Sequence, residues 1–313
     1  MRGAPVLNAV IRSTQLWWKP AATVGSLPVG TLEVVGEGGV RIVGDDRGDP
    51  GATPVVLLHG GGQTRHSWQG TAEALVDSGF RAVTLDARGH GESDWAPEGD
   101  YRLTSFAGDV LAAIRGFDER PFLVGASLGG STALLLAGEM APGTTRGVVL
   151  VDIIPRMETA GADRIMEFMN GNAQTGFASL EEVADAVSAY NPHRARPDDL
   201  SGLRKNVREI DGRFYWHWDP AFLTEGAARR RPTEILPVER LEACVQSILD
   251  RGTPMLLVRG RSSDLVSEEG ARDFCERFPA VEFVDVSGAG HMVAGDRNDA
   301  FTSAVVDFLD RHR

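Results

Sequence analysis

Cysteine is scarce in this sequence. Cys244 and Cys275 are the only two among 313 residues, and they form no C-x-x-C pair. That excludes a disulfide framework and a zinc ribbon, and two lone thiols suit a reducing compartment. Long apolar runs are missing too, since none approaches the roughly 20 residues of a membrane helix. Residues 6–11 are apolar but broken by Asn8, with no clear A-x-A-like cleavage site after them. No signal peptide and no membrane contact are therefore expected, and the expected location is the cytoplasm. Positive charge is in deficit: Lys and Arg number 32 against 44 Asp and Glu, a net charge of −12. A surface this acidic repels phosphate backbones, which argues against nucleic acid as a partner. There is no H-E-x-x-H, no Cys/His cluster and no G-x-G-x-x-G after a strand, so neither a metal nor an organic cofactor is expected.

What is present is ordinary globular composition, 42% hydrophobic and 24% charged. A chain of this length should bury roughly 75% of its unfolded surface, as two domains or as one large α/β domain with an insertion. Short β-rich runs stand at 55–58, 82–85, 122–124, 148–151, 255–258 and 281–284. Runs without polar alternation are those of strands buried on both faces. Amphipathic stretches at 68–78, 104–115, 129–140, 267–278 and 298–311 fill the gaps as helices. This alternation implies an α/β fold with a doubly wound, mostly parallel sheet. Residues 31–43 read as a hairpin around Gly36-Glu37-Gly38-Gly39. The first 25 or so residues, with Trp17 and Trp18, show no period and read as an arm on the body. From 156 to 247 the rhythm changes to helices without buried strands, clearest at 180–190, 197–207 and 238–249. An all-helical insertion between two strands is most simply a cap. The expected division is a core of 1–155 and 248–313 with a helical cap of 156–247.

The run Phe122-Leu123-Val124 leads into Gly125-Ala126-Ser127-Leu128-Gly129-Gly130 and then a helix-forming stretch. This is G-x-S-x-G in its strand–turn–helix context. A sharp turn there would lift the Ser127 hydroxyl above the sheet, and small neighbours at Gly125 and Gly129 avoid a clash. The helix N-terminus would point N–H groups at developing negative charge. Two further motifs accompany it, His59-Gly60-Gly61-Gly62 after one strand and Asp86-Ala87-Arg88-Gly89-His90-Gly91-Glu92-Ser93 after the next. On these motifs the chain, from about residue 31 onward, resembles the α/β-hydrolase family.

The resemblance implies a nucleophilic Ser127, a general base His291 in Ser287-Gly288-Ala289-Gly290-His291-Met292, and an acid that orients it. Two aspartates compete. Asp264 lies in Arg259-Gly260-Arg261-Ser262-Ser263-Asp264, which resembles the usual acid loop, and it is favoured over Asp152, at the end of the run 148–151. The oxyanion donors implied are the N–H groups of Leu128 and Gly61. His59 and His90 read as structural, and His66, His193, His217 and His312 lie outside the motifs. Arg88 reads as a structural partner of Asp86 or a neighbouring carboxylate.

In the cap, Arg213-Phe214-Tyr215-Trp216-His217-Trp218-Asp219-Pro220 is the densest aromatic cluster. Its aromatics either fasten the cap or line an apolar pocket. Trp216, Trp218 and Met157 are the substrate-contact candidates, with Ile165, Met166 and Met169 as further pocket wall. Arg65, Arg259 and Arg261 could hold a substrate carboxylate, although surface solvation is the plainer role. The expected activity is a cofactor-free serine hydrolase of small to medium apolar carboxylic esters, with monoesters of dicarboxylic acids as an option. The rival readings are a C–C hydrolase of ring-cleavage products or a perhydrolase on the same fold and, from another class, a ligand receptor. A carboxylate-dependent epoxide hydrolase or dehalogenase is disfavoured by Ser127.

Overall fold

The computed structural model describes residues 10–12 (backbone only), 30–190, 196, 198–223, 236–287 and 299–313. Trp17, Trp18, His193 and His291 lie outside the described residues.

Nine of the described strands form one sheet. They are β1 (Val10–Arg12), β2 (Gly30–Val35), β3 (Arg41–Arg47), β4 (Pro54–Leu58), β5 (Arg81–Leu85), β6 (Phe122–Ala126), β7 (Gly147–Val151), β10 (Met255–Gly260) and β11 (Val281–Val286). The order is β1-β2-β3-β5-β4-β6-β7-β10-β11. The first four strands in this order pair antiparallel, and β5 through β11 run parallel. Every residue of β4, β5, β6, β7 and β10 is buried, which is why these segments carry no polar alternation.

Side chains alternate across the sheet. Val55, Leu57, Val124 and Val149 face α1 (Gln69–Asp77) and α8 (Asp299–Arg311), where Trp68, Leu75, Phe301 and Phe308 complete one core layer. Val56, Leu58, Leu123 and Val148 face the other way, into a layer with Phe106 of α2 (Leu103–Ile114) and Leu134 of α3 (Leu128–Leu135). Full burial of such a side chain is worth about 1.5–3 kcal/mol, so the central strands β4, β6 and β7 form a stiff floor. Their carboxyl ends are neighbours, so the loop after β4, Ser127 after β6 and Asp152 after β7 meet at one edge of the sheet. That edge, at the reversal of strand order, is where open α/β sheets bind ligands.

The insertion departs from the all-helical expectation. It holds α4 (Thr159–Asn170) and α5 (Leu180–Tyr190), but also an antiparallel hairpin of β8 (Val207–Ile210) and β9 (Arg213–Trp216). Asp211 and Gly212 turn it with φ of 49° and 75°, the left-handed pair that a two-residue hairpin turn requires. Of the helix expected over 197–207, a 3-10 segment, Ser201–Asn206, is formed. The helix α6 (Val238–Asp250) packs on the core instead of over the cleft: Cys244 lies so close to Gly138 that a Cβ there would overlap it. A cap boundary at 247 would cut through α6. The helix expected over 267–278 is α7 (Glu268–Arg277), and Ser267 caps it by accepting the Gly270 N–H at 3.0 Å.

Candidate active site

Ser127 has φ 46° and ψ −113°, outside the regions a serine ordinarily adopts. Such a residue costs on the order of 1–3 kcal/mol and persists only where its surroundings fix it. The surroundings here are glycines. A Cβ on Gly125 would overlap the Gly129 carbonyl, and one on Gly129 would overlap the carbonyl of Leu58. The Ser127 N–H donates to Val151 O at 3.3 Å, tying the elbow to the end of β7. Leu128 is the first residue of α3, where N–H groups have no acceptor within the helix. The helix dipole adds positive potential at this end.

The loop after β4 is tied at almost every polar group. His59 donates through Nδ1 to Gly60 O at 2.8 Å and accepts the Ala87 N–H on Nε2 at 2.9 Å. Gly60 N–H donates to Gln63 Oε1 at 3.0 Å, and Gln63 N–H returns to Gly60 O at 3.1 Å. Gly62, at φ 74°, donates its N–H to His90 Nε2 at 3.1 Å. His90 in turn bonds Arg88 O through Nδ1 at 3.0 Å. Gly61 stands between these anchors. Because a trans peptide sets N–H opposite C=O, two donors on Gly60 O fix the direction of the Gly61 N–H. Gly60 also abuts Ser127, whose Cβ is 3.4 Å from where a Gly60 Cβ would be.

The histidines of this cluster are neutral. Burial lowers His59, takes His90 down to about 3 with His59 beside it, and holds His217 well below the ordinary imidazole value. Each nitrogen in use meets a backbone group whose role fixes the tautomer. No sequence motif contains His217. The His90 ring lies 5.3 Å from His59 and 5.8 Å from His217, centroid to centroid.

The two candidate acids have opposite surroundings. Asp152 is fully buried, at φ 51°, at the end of β7. Its Oδ2 accepts the Ser263 hydroxyl at 2.6 Å and its Oδ1 accepts the Gly260 N–H at 3.2 Å. The Asp264 side chain is 42% exposed and pairs with Arg164 of α4 at 2.8 Å. The residue of the acid loop that reaches inward is its neighbour Ser263, which also accepts the N–H groups of Leu265 and Val266, each at 3.1 Å. The sequence expectation for Asp264 thus meets a carboxylate turned toward the cap helix and solvent. His291 follows β11 and precedes α8 in sequence, outside the described residues.

The arginines considered as carboxylate binders are already engaged. Arg65 is buried, with Asp45 at 3.0 Å, Glu92 at 2.9 Å and Asp86; it is not a solvated surface cation. Arg259 is buried and bonds Val266 O at 2.7 Å and Asp285 at 3.0 Å. Arg261 is exposed and shares Asp285 at 3.1 Å. Arg88 pairs with Asp109 through two bonds of 2.7 Å, not with Asp86, which Arg65 and the turn occupy.

Trp216 and Trp218 are buried and stacked, 4.8 Å between centroids. Trp216 Nε1 donates to Gly171 O at 2.9 Å, inside the insertion, so this ring fastens the cap to itself. Trp218 Nε1 is buried without a hydrogen-bond partner among the described residues. Met157 is half-buried against the core. Two apolar side chains, Met169 of α4 and Phe222, also reach the loop after β4. The Met169 sulfur is 3.7 Å and Phe222 Cε1 3.8 Å from where a Gly61 Cβ would stand. The space over the loop is therefore apolar.

A parallel sheet with a strained serine elbow, a glycine loop beside it and a buried acid one strand away is the frame of one hydrolase family. The model of the alpha/beta hydrolase fold matches residues 53–297, and the chain belongs to that family. An esterase of Mycobacterium tuberculosis is 32% identical over 272 residues, 83% of this chain and 84% of that protein. The 2-(acetamidomethylene)succinate hydrolase of Mesorhizobium japonicum is 30% identical over 236 residues, 74% of this chain and 79% of that one. A crystal structure of E-2-(acetamidomethylene)succinate hydrolase superposes with a TM-score of 0.73 at 25% identity, covering 90% of this chain and 99% of that one. Family and relatives together define a hydrolase. Among the described residues, no helix is long and apolar enough to cross a membrane.

Proposed function

We propose that this chain is a serine hydrolase of carboxylic esters, with Ser127 as nucleophile and His291 as general base. The observation that carries the reading is the strained Ser127 elbow beside a loop whose anchors fix the Gly61 N–H. Ser127 Oγ adds to the ester carbonyl carbon while its proton passes to His291. The carbonyl electrons become an oxyanion held by the N–H groups of Leu128 and Gly61. Collapse expels the alcohol, which takes the proton from His291 and leaves an acyl-enzyme. Water, deprotonated by His291, then releases the acid and restores Ser127.

The acid that fits this scheme is Asp152 in place of Asp264. An imidazolium needs a carboxylate that is buried and held in one orientation, and Asp152 meets both conditions. Asp264 is exposed and committed to Arg164.

Met169 and Phe222 beside Gly61 favour a small to medium apolar acyl group. The succinate-derived substrate in the name of the Mesorhizobium relative would support a monoester of a dicarboxylic acid. Against that option, Arg65 and Arg259 already have carboxylate partners. The part of the insertion that carries Met169 and Phe222 then covers the sheet edge, with Trp218 and Met157 toward the remainder of the substrate. The test is turnover of p-nitrophenyl esters of graded acyl length beside a succinate monoester. Neutral short esters should be hydrolysed fastest. Preference for the monoester would reverse the substrate assignment, and turnover unaffected by a serine-directed phosphonate would reject the mechanism.

A further inference from the structure

His217 belongs to the insertion, yet its ring is 2% exposed and reaches the oxyanion loop. Its Nδ1 accepts the Gly91 N–H at 2.9 Å, so Nε2 carries the proton and donates to Gly62 O at 3.3 Å. Gly62 O belongs to the peptide that bears the Gln63 N–H. That N–H donates to Gly60 O at 3.1 Å. Gly60 O belongs to the peptide that bears the Gly61 N–H. Each peptide is a rigid plane with N–H opposite C=O. One imidazole and two peptides therefore stand head to tail, and the last group in the row is the Gly61 N–H.

We propose that His217 is a positioning residue for the oxyanion hole, aligning and polarising the Gly61 N–H through the Gly62–Gln63 and Gly60–Gly61 peptides. The proposal rests on the serine-hydrolase reading above and adds to it a residue supplied by the cap. Hydrogen-bonded dipoles in series strengthen one another in a low-dielectric interior. Alignment matters as much as strength, because an oxyanion donor acts only if it is aimed before the charge develops. His90 holds Gly62 N–H from the other side at 3.1 Å, so Gly62 cannot turn while both histidines are seated. The link makes the donor sensitive to the seating of the cap, since the same ring also ties Gly91. A neutral imidazole is suited to the task, because it donates from one end and accepts at the other.

Two substitutions separate the ends of the ring. His217→Gln keeps a donor near the place of Nε2, and His217→Asn keeps an acceptor near that of Nδ1. On one p-nitrophenyl ester, His217→Asn should lose about tenfold or more in kcat with KM nearly unchanged. Its affinity for an alkylboronic acid, which forms a tetrahedral adduct on serine, should weaken in proportion. His217→Gln should keep most of kcat. Equal losses in the two variants would mean a general structural role and overturn the proposal. So would no loss in either, or a raised KM at constant kcat, which would mark a substrate contact. If neither variant folds, the wild-type protein with 15N-labelled histidine decides. The His217 Nε2–H resonance should move when the boronic acid binds, and an unmoved resonance overturns the proposal. Ser127→Ala run alongside distinguishes the two levels. Full turnover by it rejects the serine reading and this proposal together, whereas a dead Ser127→Ala beside an unimpaired His217→Asn rejects this proposal alone.

Discussion

The two flanks of Ser127 are held by different physics. On the β4 side, the loop 59–62 is fixed by neutral imidazoles and backbone groups. On the β7 side stands a buried carboxylate, Asp152, with a hydroxyl and an N–H on its oxygens. On the proposed serine-hydrolase mechanism, the difference follows from the charges a Ser–His reaction creates. An oxyanion needs donors and is harmed by a nearby anion, while an imidazolium needs an anion. The fold keeps the two requirements apart by placing β6 between β4 and β7. Asp86, the acid nearest the neutral side, is masked by Arg65 and by the N–H groups of Arg65 and Glu92.

The largest expected effect lies between the flanks. Ser127→Ala removes one hydroxyl and should lower kcat on the order of 10⁶-fold, with unchanged circular dichroism. Near-normal turnover would make the contrast between the flanks irrelevant to catalysis. The next effect belongs to the charged flank. Asp152→Asn should lower kcat about 10⁴-fold, by analogy with loss of the acid in serine-protease triads. Asp264→Asn should change it less than about twofold, as for most surface substitutions. The reverse ranking would restore Asp264 as the acid and leave Asp152 a structural carboxylate.

The neutral flank shows itself in acid. Burial depresses His59, His90 and His217 below the unfolded imidazole value, so the unfolded chain binds more protons. Asp86 opposes this at His59 and His90. Arg65 reinforces it at His59, and Arg208 reinforces it at His217. For a depressed histidine the stability is fully present above about pH 6.5 and is lost as pH falls. The three groups act in the same direction, so their losses add as pH falls below about 6.5. Urea unfolding at pH 7.5, 6 and 5 should show the decline before ordinary carboxylates titrate. A flat profile would mean that these rings are solvated or already charged.

Much of the core was legible because buried parallel strands write continuous β-rich runs. The segments at 55–58, 122–124 and 148–151 fall inside β4, β6 and β7. The elbow was legible because its glycines are sterically required. The hairpin β8–β9 was readable and overlooked: Ile210-Asp211-Gly212-Arg213 is a two-residue turn signal, hidden by helical stretches on either side. The orientation of the acid loop was illegible for a different reason. Loop sequence does not say which way each side chain turns, and a shift of one residue sends Ser263 inward and Asp264 outward. His217 carried no local signal, because its partners Gly62 and Gly91 are 155 and 126 residues away in sequence.

The smallest expected effect tests the contrast from outside. Arg164 of α4 pairs with Asp264, donates to Tyr190 O at 2.6 Å and lies 5.2 Å from the Tyr190 ring centroid. Both charged side chains are close to half exposed, at 50% and 42%. Water screens such a pair, and its worth is about 0.2–1 kcal/mol. Arg164→Ala should therefore lower the melting temperature by no more than a few degrees and leave kcat nearly unchanged. The same substitution frees the Asp264 carboxylate from its partner. Were Asp264 the acid that orients His291, releasing it from a competing guanidinium would alter kcat several-fold and shift the acid limb of the pH–rate profile. Thermal denaturation and one pH–rate curve on this variant distinguish the cases. A small loss of stability with an unmoved acid limb leaves Asp264 as an anchor for the cap helix and the chemistry on the β7 side with Asp152.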